Sequence, residues 1–331
     1  MCRFNHIVRE GTKVNSKAEP SMPVVVRFTC SREFAPTIEE AIIGKYRIKP
    51  IPARKPIFAR FGEELLLSFV DQWEEGQQHS NPMEESRYVL AWFSLALRAR
   101  IEYRASKINN VDADVQQLPK YKDFVSRLEA FPLEIDDLYH KLLSLDERLL
   151  RQYIRSCLVY QSALSMLEDS PTLTFFLLVV AIECLSNTVL PTGTKKERFV
   201  QFVRDYMPAG PKTTQDDETL FIRLLDSAYY YRSGFTHGGA SIPEACLMAD
   251  QAGYSYVKHY VKGKETYSPG LGWLERVVYT SLIEFLRRQK KADKTDFDLA
   301  DLAGQEGIIM LKTKRPVQSG RVVTSADVDA Q

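Results

Sequence analysis

The stretch Ser170-Pro171-Thr172-Leu173-Thr174-Phe175-Phe176-Leu177-Leu178-Val179-Val180-Ala181-Ile182-Glu183-Cys184-Leu185-Ser186-Asn187 is apolar on nearly every side of a helical turn. A helix of that kind has no face to offer water, so it belongs inside the protein with other helices packed around it. Ser170 supplies a side-chain acceptor for the orphan N–H groups of the first turn. Pro171 takes the first helical position, where its missing N–H costs nothing. Pro191-Thr192-Gly193 stops the helix. Downstream, Thr194 and Glu197 have capping-box spacing and open a basic helix that ends near Met207, before the hard stop Pro208-Ala209-Gly210-Pro211. Thr214-x-x-Asp217 opens a further helix that runs through Arg232 and stops around Gly234 or Gly238-Gly239. Ser241-x-x-Glu244 caps another, and Leu271 to Arg288 forms the last. Upstream, Leu133 to Leu143 is helical, and Asp146 starts a helix that continues to about Leu167. The short connections imply antiparallel neighbours and therefore a bundle.

The fold class is thus mainly α. A helical bundle over residues 132–290 follows an N-terminal region, 1–131, of α+β or otherwise mixed structure, and a charged tail, 291–331, follows the bundle. In the N-terminal region Pro23 to Phe28 is strand-like, being β-branched and bounded by Pro23 and Ser31. The proline-rich run Lys49 to Pro56 separates two further short strands. From Phe61 to Trp73 the pattern turns helical, and Gly76 to Asn81 is a loop. Asn81-Pro82 then opens a long helix reaching about Lys107, and Asn109 to Pro119 is a linker. The tail contains Lys312, Lys314, Arg315 and Arg321 and is expected to be mobile.

Composition narrows the function classes. The chain has 331 residues, 44% hydrophobic and 26% charged, with 44 basic against 43 acidic residues and a formal net charge of +1. There is no global basic field, so a polyanion would be held by a local patch. Five scattered cysteines (Cys2, Cys30, Cys157, Cys184, Cys246) form no C-x-x-C pair, which supports neither a disulfide framework nor a zinc knuckle. Residues 1–20 hold no apolar leader segment, and the longest apolar run, Phe175 to Ile182, is far below the ~20 residues of a membrane span. A cytoplasmic protein that does not enter membranes is expected.

Nucleotide-binding, zinc-protease and serine-hydrolase signatures are absent, and the five histidines (His6, His79, His140, His237, His259) show no metal-ligand spacing. No cofactor and no metal are expected. What remains is Tyr229-Tyr230-Tyr231-Arg232-Ser233-Gly234-Phe235-Thr236-His237-Gly238-Gly239, which sets a permanent cation, a hydroxyl and an imidazole at a glycine-rich helix end. Those groups suit phosphodiester transfer from a ribose 2′-hydroxyl. An imidazole moves the proton, and a guanidinium neutralises charge building on the phosphoryl oxygens. The nucleophile belongs to the substrate, and only RNA carries it. On an unbroken helix five residues turn through about 140°, so Arg232 and His237 would not share a face. Either Gly234 breaks the helix or the two groups meet across a two-fold axis.

The segment, with what precedes it, resembles the ApeA-like HEPN family. There a buried helix with an A-x-E-x-L pattern comes before Y-x-x-R-x-x-x-x-H-G. Here these are Ala181-Ile182-Glu183-Cys184-Leu185 and Tyr229 to Gly238, and the helix carrying Tyr160-Gln161-Ser162-Ala163-Leu164 is similar to the first bundle helix of the family. The resemblance spans roughly residues 146–262. It implies a HEPN-like bundle that forms a homodimer around its R-x-x-x-x-H segments and works as a metal-independent endoribonuclease leaving 2′,3′-cyclic phosphate ends. A toxin or antiviral defence role would go with that activity. Arg232 and His237 would be the catalytic pair, with Ser233 at the polar position where the family often has Asn. The N-terminal part would sense, target or restrain the nuclease, with a regulatory protein or a phage-derived trigger as partner. Other members of the family are catalytically silent and bind RNA or a partner protein. A third reading is a helical adaptor in which the motif is coincidental. Glu183 is read as a buried hydrogen-bond hub or as a group orienting Arg232, and Tyr229 to Tyr231 as core and interface. Lys195-Lys196-Glu197-Arg198 and Arg287-Arg288-Gln289-Lys290-Lys291 are read as solvated faces able to contact phosphates.

Overall fold

The computed structural model describes residues 25–30, 41–50, 63–69, 82–107, 134–208, 215–251, 254–261, 263–290 and 297–303. These are mainly helical, with a small antiparallel sheet in the N-terminal part. The loop 76–81, the linker 109–119, the opening residue Thr214 and the basic residues from Lys312 onward lie outside the described residues.

Strands β1 (Val25–Cys30), β2 (Ala41–Ile43), β3 (Tyr46–Pro50) and β4 (Glu63–Phe69) pair with a fifth strand in the order β2-β3-β4-β1-β5. The β2–β3 turn is two residues long, and Gly44 takes φ +53° there. A side chain at Gly44 would run into the Tyr139 ring, so this turn needs glycine on two counts. Within the expected helix over 61–73, the described residues 63–69 form strand β4 instead. Its Leu-rich composition favours a helix, but β1 and β3 pair with it along both edges, and that pairing outweighs propensity.

Helix α1 (Pro82–Ala96) opens at Pro82 as expected but stops eleven residues short of Lys107. Arg98 lies in the left-handed region at φ 48°, with Arg98 N–H donating to the Leu95 carbonyl and Ala99 N–H to the Ser94 carbonyl. That is a Schellman stop with arginine where glycine is usual. The chain then reverses into β5 (Ile101–Lys107), which pairs with β1 across a bulge at Arg27/Phe28. Helix α1 packs between β5 and the bundle, and Tyr88, Trp92 and Phe93 are fully buried.

The bundle follows the sequence punctuation closely. Helix α2 (Ile135–Leu143) precedes α3 (Glu147–Ser165), where Asp146 accepts from Leu149 N–H. Helix α4 (Pro171–Val189) begins with Ser170 accepting from Leu173 N–H, and α5 (Lys195–Tyr206) has both halves of its Thr194/Glu197 capping box. Helix α4 is long and apolar enough to cross a membrane, but half of it is buried inside the fold, where α3, α5, α6 and α8 pack around it. Helix α6 (Gln215–Gly238) runs unbroken through Gly234. Helix α7 begins later than its expected cap and spans Glu244–Gln251, so Glu244 is its first residue and not the third-position partner of Ser241. A hairpin of β6 (Tyr256–Val261) and β7 (Lys264–Pro269), absent from the expectations above, then leads to α8 (Leu271–Arg287).

One continuous hydrophobic core joins the sheet region to the bundle. Two buried polar knots cross between them. Glu275 of α8, fully buried, is gripped by the Arg98 guanidinium and accepts from the Tyr160 hydroxyl at 2.6 Å. Lys45 bridges Glu85 and Asp298, each at 2.8 Å, while Tyr46 donates to Glu85 at 2.9 Å. Burial opposes the Asp298 charge, but Lys45 outweighs it and holds the carboxyl below its ordinary range. The start of the tail is therefore not free: residues 299–303 form a helical turn, and Leu299, Leu302 and Ala303 are buried against the core.

Candidate functional site

Helix α6 carries the singled-out segment on its last three turns and ends where glycine permits a left-handed residue. Gly239 has φ +63° and its N–H returns to the Phe235 carbonyl at 3.0 Å. Gly234 causes no break. Arg232 and His237 therefore sit about 140° apart on one continuous helix. Arg232 turns inward, whereas His237 is exposed in the last turn. Ser233 is half-buried and, four residues before His237, shares that face more than the face of Arg232. Within one chain the structure keeps Arg232 and His237 apart.

What it does bring together is Arg232 and Glu183. The guanidinium donates to Glu183 Oε2 at 2.6 Å, with the two side chains only 14% and 7% exposed. A carboxylate on an apolar helix needs such a partner, because desolvation would otherwise neutralise it. Arg232 also donates to the Thr236 hydroxyl at 3.3 Å, and it lies within cation–π reach of Phe176 at 5.6 Å and Tyr229 at 5.7 Å. Spacings of three and four residues on α6 put Tyr229, Arg232 and Thr236 on one face. The adjoining Tyr231 instead bonds the buried Ser268 of β7 at 2.8 Å and supports the hairpin. Tyr230 is 72% exposed.

Burial, and then the neighbouring Glu183 charge, push the Tyr229 hydroxyl up to about 12. Tyr229 thus stays protonated at neutral pH and can donate a hydrogen bond but not act as a base. Cys184, beside Glu183, has its thiol pushed up by burial and by that carboxylate. Arg232 Nε is shielded from solvent without a hydrogen-bond partner among the described residues, and the Tyr229 hydroxyl lies beside the Glu183 carboxylate. Where α4 packs against α6, the fold therefore holds an oriented cation beside a nearly buried carboxylate. Among the described residues no three His, Cys, Asp or Glu side chains are grouped to share a metal ion.

Arg198 of α5 is half-buried with its Nε closed to solvent, which the sequence, showing it only as part of a basic run, does not reveal. Against protein-family models, curated proteins and solved structures alike, the chain has no match.

Proposed function

We propose that the chain is a metal-independent endoribonuclease of the HEPN type that acts as a homodimer, with Arg232 and His237 as the reacting pair and Ser233 as an auxiliary polar group. The observation that carries this reading is the preset Arg232. Its guanidinium is fixed by Glu183 and Thr236 and backed by two aromatic rings, while an exposed imidazole stands at the end of the same helix. A cation held before substrate arrives needs no reorganisation as charge develops on a phosphorane. An exposed imidazole suits transfer of the 2′-hydroxyl proton. The reaction attaches the 2′-oxygen to phosphorus and expels the 5′-oxygen, which takes a proton, so a 2′,3′-cyclic phosphate and a 5′-hydroxyl are left. In this reading the N-terminal sheet region restrains or targets the nuclease, and its buried knots to the bundle are the route by which a trigger would act.

A second reading, a catalytically silent module that binds RNA or a partner protein, is favoured by one observation: Glu183 neutralises the guanidinium that catalysis would use. One experiment separates them. Purified protein is incubated with a mixed RNA panel in excess EDTA, and the product ends are mapped. The nuclease reading expects cleavage unaffected by chelation, with cyclic phosphate ends. Cleavage that is lost in EDTA and restored by Mg²⁺ rules out this mechanism, and an uncut panel leaves the silent module.

A further inference from the structure

Among the described residues, the large apolar side chains most open to water are gathered in one stretch of chain. Tyr230, Met248, Tyr254 and Tyr260 are each more than half exposed, and all lie between the middle of α6 and the end of β6. The hairpin register accounts for part of this. Val257 pairs with Ser268 and His259 with Thr266, and this face turns toward α6, because buried Ser268 bonds the Tyr231 hydroxyl and lies 3.4 Å from His259 Nε2. Alternation then puts Tyr256, Lys258 and Tyr260, with the cross-strand residues Tyr267 and Glu265, on the opposite, outer face. There the Tyr256 and Tyr267 rings stand 5.7 Å apart, while Lys258 and Arg223 of α6 each lie 5.9 Å from the Tyr267 ring centre. Glu265 is tied to Lys258 at 2.6 Å and to Arg223 at 3.9 Å. The two cations are 47% and 57% exposed and the carboxylate only 33%, so positive charge is uppermost. Arg223 also begins a line on α6. Tyr230 and His237 follow at seven-residue intervals, nearly two full turns and about 10 Å each, and all three are exposed. Asp226, on the same side, is already taken by Lys196 at 2.9 Å.

We infer that the outer face of the β6–β7 hairpin is a stacking platform for single-stranded RNA, from which the strand runs along α6 past Arg223 and Tyr230 toward His237. Every base has a flat π face, and exposed tyrosine rings offer matching surfaces, while interleaved cations meet the phosphates. A protein partner would call for aliphatic groups on this face. It has rings and charges instead, and the Val257–Ser268 pair is turned the other way. Tyr256 and Tyr260 are about 13 Å apart along the strand, and small sheets that bear aromatics in this manner stack about two or three bases. The bases of a duplex are already stacked on one another, so only a single strand has faces to give. The inference rests on the ribonuclease reading for the choice of RNA and for what happens at His237, but not for the platform itself.

The test uses the full chain carrying His237→Ala, so that strands stay whole, and a labelled mixed-sequence RNA of about twelve nucleotides, a length typical of single-strand sites. The same RNA annealed to its complement is run beside it. Anisotropy across a salt series gives affinity and salt slope. The single strand should bind about tenfold tighter than the duplex, or better. Adding Tyr260→Ala should weaken it about five- to 150-fold, the loss of one stacked base, whereas Tyr260→Phe keeps the ring and should bind like the parent. Tyr260 is 68% exposed, so neither change should move the melting curve. Lys258→Gln should flatten the salt slope by about 0.7, the value for one phosphate contact on a single strand. Glu265→Gln removes the competing carboxylate and should tighten binding several-fold, a gain that a merely structural ion pair would not give. A parent that binds no single strand, a duplex bound as tightly, or a Tyr260→Ala variant with unchanged affinity overturns the platform. If that last variant also lowers the mass seen by light scattering, the face belongs to a second copy of the chain. The two proposals fail separately. Tyr260-dependent binding by a wild-type protein that cuts nothing removes the nuclease and keeps the platform; wild-type cleavage with KM unchanged by Tyr260→Ala does the reverse.

Discussion

Glu183 and Arg232 form the most consequential pair of side chains in the bundle, since each is the other's compensation for leaving water. Removing one partner of a buried pair leaves an unmatched charge, at a cost of about 3–5 kcal/mol. Glu183→Gln should accordingly lower the thermal midpoint by several degrees, at ~2–4 °C per kcal/mol for a domain of this size. Exchanging Glu183→Gln and Arg232→Met together should recover much of the loss in a double-mutant cycle. Additive losses in the two single variants would show that the pair is not coupled. The same contact decides which variants test catalysis cleanly. Exposed His237 can become alanine without disturbing the core, and His237→Ala should slow RNA cleavage by ~10²–10⁴ while the melting curve stays put. A His237→Ala protein that cuts normally would remove the imidazole from the mechanism. Arg232→Ala is a poor probe, because its effect mixes lost chemistry with an orphaned Glu183; Arg232→Lys keeps a cation there. The sequence made Glu183 conspicuous as a charge in an apolar run, but its partner, 49 residues away, became visible only with the packing of α4 against α6.

Among the elements, α6 is where the local reading and the structure meet most usefully. Its start and its Gly238-Gly239 end were legible, and the structure removes one of the two routes by which Arg232 and His237 could converge, because Gly234 lies inside an unbroken helix. A methyl group at Gly234 would meet only the Ala240 Cβ, at an ordinary 3.8 Å. Gly234→Ala should therefore stabilise the protomer by about 0.5–1 kcal/mol, the usual gain for relieving a helix of glycine. The measurement is a melt at a dilution where the chain is monomeric, and a lower midpoint would contradict a continuous α6. The caps of α3, α4 and α5 were readable because each is a local chemical event: Asp146, Ser170 and Thr194 each bond an N–H three residues on. β4 and the end of α1 were not. The strand identity of β4 comes from neighbours on both edges, and Arg98 stops α1 without the glycine that normally signals a stop. A left-handed arginine costs about 1–2 kcal/mol, and the grip of its guanidinium on Glu275 offsets this from 177 residues away. The β6–β7 hairpin did carry a signal in its β-branched and aromatic residues around Gly263, although two strands alone are marginal without α6 and α7 behind them.

At the scale of the whole molecule, the angular separation on α6 makes a demand on assembly. If the proposed chemistry operates, the Arg232 and His237 that serve one phosphate come from different chains related by a two-fold axis. Mixing Arg232→Lys with His237→Ala protomers should then restore activity to about a quarter of the wild-type rate, since half the dimers are mixed and each mixed dimer has one intact centre. Mixtures as inactive as their parents would mean that one chain supplies both groups. The contact between Lys45 and Asp298 has a different kind of consequence. The two residues are 253 positions apart, yet Lys45 sits against the nearly buried Glu85 at the joint between sheet and bundle. A ribosome adds roughly 5–20 residues per second. A nascent chain therefore spends on the order of tens of seconds with Lys45 and Glu85 made and Asp298 not yet translated. Through that interval the joint lacks its second carboxylate and the Leu299–Leu302 apolar cover. The joint between sheet and bundle can thus close fully only after the helices of the bundle have been translated.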